Sequence, residues 1–335
     1  MKVAFLIHSL EVNSCRYRVL QYLPYLRDHG VDASIHFYKW RWQEKLQFYN
    51  NLGQYDILYI HRKLFSPFEF WYIHKKAPKI IYDFDDALMY RSSGSKNPYS
   101  SSRRIKFDYM MKRVDFVIAG NQFLKSEVLP YNHNVEVIPT SIDLARYHLK
   151  EYGRRKDHFI IGWLGSRTTL KYLPSLIPVL EKIFQKDPRV KLKMVCDQFL
   201  DDLRVPVIKK RWSLDEEVED LRSFDIGVMP LSNDLWSKGK CGLKILQYFG
   251  VGIPVVCTPI GVNRDIVEDG VSGFWAGNEE EWENCLSRLI EDERLRREMG
   301  LRGRNKVEKG YSLEVNAPQV LDVLDQVASE KDKRN

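Results

Sequence analysis

Short apolar runs alternate along this chain with longer stretches that are apolar on one side only. The runs at 3–9 (VAFLIHS), 32–38, 56–61, 79–86, 115–120 and 135–139 have strand length and predict strands buried on both faces. Between them, Val19, Leu20, Leu23 and Leu26 recur at helical spacing until Gly30. Pro67 opens a second helix near its first position, and 103–113 (RRIKFDYMMKR) reads as a basic helix. The segment 91–102 (RSSGSKNPYSSS) is polar and glycine-containing, the pattern of a mobile loop. After a charged, apolar-poor linker at 151–157 the rhythm restarts. Strands are expected at 159–165, 190–195, 205–208 and 225–230, and helices over 170–186, 214–223, 278–310 and 313–329.

Repeated strand–helix units imply parallel sheets joined by right-handed crossovers. The expected class is α/β, with two Rossmann-like domains whose parallel sheets face a cleft. Residues 1–150 would form the first domain and 151–312 the second, with 313–335 a terminal helix packing back on the first. In such sheets ligands collect beyond the carboxyl ends of the strands, so chemistry is sought there.

The stretch 237–264 (SKGKCGLKILQYFGVGIPVVCTPIGVNR) holds the densest signal. A loop with two glycines and two lysines leads into Leu243, Leu246, Gln247 and Gly250 at helical spacing. Gly252 then falls where a left-handed residue often ends a helix, and Val255–Cys257 has the length of a buried strand. A glycine-containing loop at a helix N-terminus suits an anion, because free N–H groups and the helix dipole point at it. Lys240 and Lys244 add charge; an ordinary crossover with a solvated lysine pair has the same spacing.

Charge and cysteines narrow the class. The net charge of +7 is uneven: residues 1–150 hold 22 Lys/Arg against 14 Asp/Glu, a balance of +8, and the remainder holds 30 against 31. An anionic partner of the first half is expected, either an acceptor or an anionic membrane surface. RNA-type aromatic signatures are absent, so no nucleic acid is expected. No apolar run reaches the ~18 residues of a membrane span, and 3–7 lacks the length and cleavage site of a secretory signal. The five scattered cysteines (15, 196, 241, 257, 285) form no CxxC pair, which argues against a zinc site and for a reducing cytoplasm. The aromatic–basic run Tyr38–Trp42 could sit at a lipid interface, although such a run more often packs one Trp and exposes the rest.

Three constellations at strand ends carry candidate chemistry. Asp83, Asp85 and Asp86 put three carboxylates in four residues, which are costly to bury unless something positive meets them. They suit a base, a sugar clamp or a metal site, or else a helix cap with solvated acids. Gly165, Ser166 and Arg167 follow a strand and precede a helix. They suit a diphosphate seat or plain capping. Arg16 and Arg18 after the first strand, and Arg62 after the third, suit an anionic acceptor or an exposed basic surface. No GxGxxG opens the chain, which weighs against a nicotinamide or flavin enzyme.

The segment EDLRSFDIGVMP (219–230), the 237–264 stretch and GVNRDIV (261–267) together resemble the C-terminal half of GT-B glycosyltransferases, and within them retaining family 4, also called group 1. YDFDDA (82–87) and VIPTSID (137–143) extend the resemblance to the first half. The resemblance implies a hexosyltransferase that moves a sugar from a nucleotide-sugar to a hydroxyl acceptor, a surface glycan or a lipid-linked one, with retention. It implies no metal and no other cofactor. Asp83, Asp85 and Asp86 would be catalytic. Gly165, Ser166, Arg167, Lys240, Cys241 and Gly242 would hold the donor diphosphate, and Gln247, Trp212 and Lys244 the ribose and base. Arg16, Arg18 and Arg62 would bind the acceptor, with the enzyme peripheral at the inner face of the cytoplasmic membrane. Asp83-Phe84-Asp85 also matches the DxD triplet of metal-dependent glycosyltransferases.

Several positions depart from the family pattern. Gly239 and Gln247 stand at the two glutamate positions of its E-x7-E motif, and Trp163 stands where an arginine is usual. The family's usual N-terminal histidine is replaced within Asp83–Asp86. Two further readings therefore stay open: a sugar-nucleotide epimerase of the same fold, and a non-catalytic nucleotide-sugar binder.

Overall fold

The computed structural model describes residues 1–38, 41–153, 157–201 and 203–330. Lys39 and Trp40 of the aromatic–basic run, and 154–156 of the charged linker, lie outside them. Contacts divide the chain into two units. The first comprises Met1–Ser141, Asp234–Cys241 and Leu313–Asn335, and the second Ile142–Asn233 and Gly242–Ser312. The segment Asp234–Cys241, expected in the second domain, thus groups with the first unit, and 142–150 groups with the second.

The first unit runs β1 (Lys2–Ile7), α1 (Asn13–Arg18), α2 (Leu23–Asp28), β2 (Asp32–Phe37), α3 (Trp42–Asn50), β3 (Ile57–His61), α4 (Pro67–Lys76), β4 (Ile80–Phe84), α5 (Ser101–Met111), β5 (Phe116–Ala119), α6 (Gln122–Val128) and β6 (Val135–Val137). The second runs β7 (Phe159–Leu164), α7 (Ile177–Lys186), β8 (Val190–Cys196), β9 (Val207–Arg211), α8 (Glu217–Ser223) and β10 (Ile226–Met229). The chain then returns to the first unit for α9 (Leu235–Lys238). The second unit resumes with α10 (Leu243–Gly250), β11 (Val255–Cys257), α11 (Asn263–Ile266), β12 (Gly273–Trp275), α12 (Glu279–Glu291) and α13 (Glu293–Gly310), and α14 (Leu313–Ser329) closes the first.

Among the described residues each unit holds one six-stranded parallel sheet. The orders are β2-β1-β3-β4-β5-β6 and β12-β11-β10-β7-β8-β9. Both are doubly wound. Strand order reverses between β1 and β3 in the first and between β7 and β10 in the second, which marks the carboxyl ends of those strands as ligand positions. Alternate residues of the central strands enter opposite cores, which is why those strand sequences read as continuous apolar runs. Leu58 and Ile60 of β3 face the layer of α3, α4 and α5, whereas Ile57 and Tyr59 face that of α1, α2 and α14. No described helix is long and apolar enough to cross a membrane.

Three expected helices differ, each for a local reason. The helix expected up to Gly30 is broken into α1, a 3-10 turn at Leu20–Tyr22 and α2, because Pro24 at the second position of α2 has no N–H for a preceding carbonyl. The 170–186 element is 3-10 over Leu170–Leu176 and α-helical only from Ile177, with Pro174 and Pro178 removing donors from the first turns. The 278–310 element splits at Asp292, which is extended and caps α13 by accepting from the Leu295 N–H at 2.8 Å. Helices α3 and α6 and strand β12 carry no strong periodicity and emerge only in the structure.

One glycine shows how closely the second unit is packed. A Cβ at Gly300 of α13 would lie 1.9 Å from the Gly252 carbonyl oxygen, and backbone has no rotamer with which to yield. Gly300→Ala is therefore expected to destabilise the protein by roughly 2 kcal/mol. Urea unfolding checks this; an unchanged midpoint would show that α10 and α13 can slide apart freely.

Candidate active site

The carboxylates of the first unit do not act as one group. Strand β4 ends at Phe84, so the alternation expected to point Asp83 and Asp85 together stops there. Asp83 is fully buried. Its carboxylate takes a hydrogen bond from Arg18 Nε at 3.1 Å and a closer ion pair from Arg18 Nη2, and lies 2.9 Å from His61 Nδ1. Arg18 Nη1 also donates to the Ile138 carbonyl at 2.6 Å. Burial alone would raise the Asp83 carboxyl, but the Arg18 guanidinium and the His61 hydrogen bond outweigh it and hold it below the usual range. This corrects the expectation for Arg18. It is enclosed as the counter-ion of Asp83, positioning strand ends, and offers nothing to an acceptor.

Asp85 and Asp86 lie beyond the strand and meet different cations. Arg62 Nε is 3.3 Å from Asp85 Oδ1, and Arg62 Nη2 donates to Asp86 Oδ2 at 2.5 Å. Lys240 Nζ donates to Asp86 Oδ1 at 2.8 Å. Burial works against the ionised Asp86, yet Lys240 first and Arg62 second hold its carboxyl below the ordinary value. Among the described residues Arg62 alone of the non-glycines has positive φ, at 62°. A backbone held in that region is strained, and here it lets one guanidinium bridge two carboxylates at a switch point. Arg62, expected to grip an acceptor, is thus engaged by the acids that sequence reasoning said needed a positive partner. Arg16 lies over the Tyr17 ring at 4.7 Å and donates to the Tyr17 hydroxyl at 3.1 Å.

The returning segment Asp234–Cys241 is fastened to the strand ends of the first unit. Asp234 caps α9 by accepting from the Ser237 N–H, Asn121 Nδ2 donates to the Lys240 carbonyl at 3.1 Å, and Cys241 Sγ to the Asp85 carbonyl at 3.3 Å. A Cβ at Gly239 would lie 2.6 Å from Ala87 Cβ and 2.7 Å from its nitrogen. The missing glutamate at this position is therefore replaced by a close approach of backbone to Ala87, which a side chain would prevent. The buried Cys241 thiol is pushed up by burial and the Asp85 charge, so it is a packing group and no nucleophile.

In the second unit, the turn after β7 closes on itself. Ser166 N–H donates to Thr169 Oγ1 at 3.1 Å, and Arg167 N–H to Asp197 Oδ1 at 2.7 Å. These amides, expected to cradle a diphosphate at a helix start, already have acceptors, and the α-helix begins only at Ile177. The plain capping alternative fits the main chain here; the Arg167 side chain stays exposed. Gly165 is required because the Trp163 ring lies 2.2 Å from where its Cβ would stand. Helix α10 is different. Gly242, at φ 69°, is its N-cap, packed so closely that a Cβ would lie 2.3 Å from Ile266 Cδ1, and no side chain caps the first N–H groups of the helix. Lys240 precedes this helix and pairs with Asp86, and Lys244 Nζ lies 5.9 Å from the Trp163 ring centroid.

Two of the three residues expected at ribose and base, Gln247 and Trp212, belong to one hydrogen-bonded chain. Gln247 Nε2 donates to the Tyr147 hydroxyl at 3.3 Å. That hydroxyl donates to Glu217 Oε1 at 3.2 Å, and Trp212 Nε1 donates to Glu217 Oε2 at 2.9 Å. Gln247 is only 1% exposed and Glu217 is buried. Sequence reasoning missed Glu217 and Tyr147; an acid at a buried position of an amphipathic helix was the available signal for the first. It also missed Asn121, whose side chain caps α6 at Leu124, although an asparagine after a strand is a cap signature. Among the described residues no group of three or more His, Cys, Asp or Glu is arranged to hold a metal ion.

Comparison with known proteins adds to this geometry. The family model described as Glycosyl transferases group 1 matches residues 158–292. No curated protein matches by sequence. Among solved structures, sucrose-phosphate synthase from Thermosynechococcus elongatus is 14% identical with a TM-score of 0.78, covering 97% of this chain and 98% of that one. HepE from Anabaena, solved with UDP and glucose, is 17% identical with a TM-score of 0.72 over 97% and 99%. A glycosyltransferase from Rickettsia africae is 13% identical with a TM-score of 0.72 over 98% and 99%. At these identities the likeness is one of fold, and it spans both units. The chain thus has the two-domain GT-B fold, and its residues 158–292 are similar to the glycosyl transferases group 1 family.

Proposed function

We propose that this protein is a retaining hexosyltransferase, moving a sugar from a nucleotide-sugar to the hydroxyl of a surface glycan or lipid-linked acceptor. The observation that supports it most is the uncapped N-terminus of α10 within the region matched by the group 1 family. Departure of a nucleoside diphosphate builds negative charge on its β-phosphate. A fixed helix end and a lysine stabilise that charge without having to reorient as water must. Gly242 and Leu243 supply the helix end, and Lys240, two residues before Gly242 in the chain, the full charge. Cys241 has its thiol turned to Asp85 and contributes main chain only. The Arg167 guanidinium remains available to the diphosphate, although the neighbouring amides are not. Asp85 and Asp86 would position the acceptor hydroxyl, and Asp83 would hold the strand ends that carry them. Because Arg62 and Lys240 already neutralise this cluster, no metal is required by its charge. Retention and the hexose follow the family resemblance. The five cysteines are all free, which suits a cytoplasmic site of action.

HepE has been solved with UDP-glucose, so a uridine diphosphate hexose is the first donor to try here. The test is a thermal-shift screen of nucleotide-sugars, followed by donor turnover with the product anomer read by NMR, with and without EDTA. A donor that raises the melting temperature and yields a retained product in EDTA is the expected result. Loss of turnover in EDTA, restored by Mg²⁺ or Mn²⁺, would overturn the metal-free mechanism, and an inverted product the retention. Gly239 and the buried Gln247 favour a second reading, a non-catalytic binder. It predicts the same thermal shift with no donor hydrolysis.

A further inference from the structure

Helices α3, α4 and α5 pack over one face of the first sheet through Phe48, Phe70, Ile73, Phe107 and Met110. Their outer faces are not those of an ordinary solvated layer. On α4, Phe68, Trp71 and Lys75 recur at i, i+3 and i+7, opposite the buried Phe70 and Ile73. Phe68 is 72% exposed and Trp71 45%, and their rings stack with centroids 6.1 Å apart. Trp42, 63% exposed, opens α3, and Ile105, 58% exposed, stands on the outer side of α5. These helices are neighbours. Glu69 of α4 accepts from Lys45 Nζ and Tyr49 Oη of α3, and Phe70 of α4 meets Tyr109 of α5 edge-on at 6.4 Å.

The same layer is rich in cations. Residues 42–50, 67–76 and 101–113 hold eight Lys/Arg against three Asp/Glu. Two of the three acids are already paired, Glu69 with Lys45 and Asp108 with Arg104. Lys75, Lys76 and Lys112 are exposed. Burial lowers the Lys63 ammonium, Glu69 opposes the shift, and repulsion from Lys45 and Lys106 adds to it, so these three lysines lie close enough to feel one another's charge. Contiguous exposed aromatics rimmed by cations mark an interaction surface. Its apolar part gains only from leaving water, and its charged part only from an anionic partner.

We propose that the outer face of α3, α4 and α5 docks peripherally on an anionic lipid bilayer, with Phe68 and Trp71 entering the interface and the lysines meeting lipid phosphates. Aromatic rings settle at the headgroup level, and lysine stems lie along apolar surface while their ammonium groups stay in the polar zone. This docking does not depend on the sugar-transfer reading.

The test is co-sedimentation of the full chain with vesicles of phosphatidylcholine and phosphatidylglycerol, against vesicles of phosphatidylcholine alone, at low and high salt. Binding to the anionic vesicles only, weakened by salt, is expected. The double variant Phe68→Ser, Trp71→Ser should bind about tenfold more weakly, and Lys75→Glu, Lys106→Glu should lose the salt-sensitive part. Circular dichroism and the donor-induced thermal shift should be unchanged in both, because none of these residues belongs to the candidate active site. That separates failure here from failure of the transferase reading. Absence of binding to anionic vesicles, or equal binding by the variants, overturns the proposal. So does a concentration-dependent dimer abolished by Phe68→Ser, Trp71→Ser without vesicle binding, which would assign the face to a second copy of the chain.

Discussion

Lys240→Ala is expected to lower the rate of sugar transfer about a hundredfold, the scale on which loss of one fixed donor to a developing oxyanion is felt. The same change should weaken nucleoside diphosphate binding by roughly 1.5–3 kcal/mol and leave the bare nucleoside nearly untouched, because a charge-assisted contact is lost only where the diphosphate is present. Lys240 has a second tie, the ion pair to Asp86, so the variant must be compared with Asp86→Asn. If Lys240 acts on the leaving group, Asp86→Asn preserves diphosphate affinity while Lys240→Ala does not. Calorimetry with both ligands decides it. Equal losses for nucleoside and nucleoside diphosphate would remove Lys240 from the diphosphate site.

Arg18→Met is expected to destabilise the protein by about 3–5 kcal/mol, because it leaves the Asp83 carboxylate buried without its cationic partner. Asp83→Asn combined with Arg18→Met should cost much less than the sum of the two single changes, since the charge that needed a partner is gone. Urea unfolding of the three variants measures the coupling, and simple additivity would show that the pair is not a unit. The pH dependence has a definite sign. The folded Asp83 carboxyl lies below its unfolded value of about 3.9, so its contribution is fully present above that value and is lost as pH falls through the lower folded one. Wild-type stability should therefore fall with acid in this range more steeply than that of Arg18→Met, Asp83→Asn.

Much of the α/β plan was legible in the chain. Strands buried on both faces must be apolar at every position, which made β1, β3, β4, β5 and β7 readable. Glycine at a left-handed position made the end of α10 readable, and Gly252 has φ 75°. Short helices and edge strands held by neighbours, such as α3, α6 and β12, carry weak patterns and were not readable.

The candidate site divides in the same way. Residue types and local chemistry were determined by the sequence: three acids that needed cations, a glycine-opened helix, a segment of group 1 glycosyltransferase character. Which cation meets which acid was decided by the tertiary structure, because ion pairs join residues far apart in the chain. Arg18 and Asp83 are 65 positions apart, and Asp86 and Lys240 are 154. The Gly239 position makes the same point: one letter showed that a side chain was missing, and only the approach of Ala87 showed why none fits. Local preference is written in a few adjacent residues. The partners of a buried charge are settled only when distant strand ends fold into one low-dielectric site, where an unpaired charge is too costly to persist.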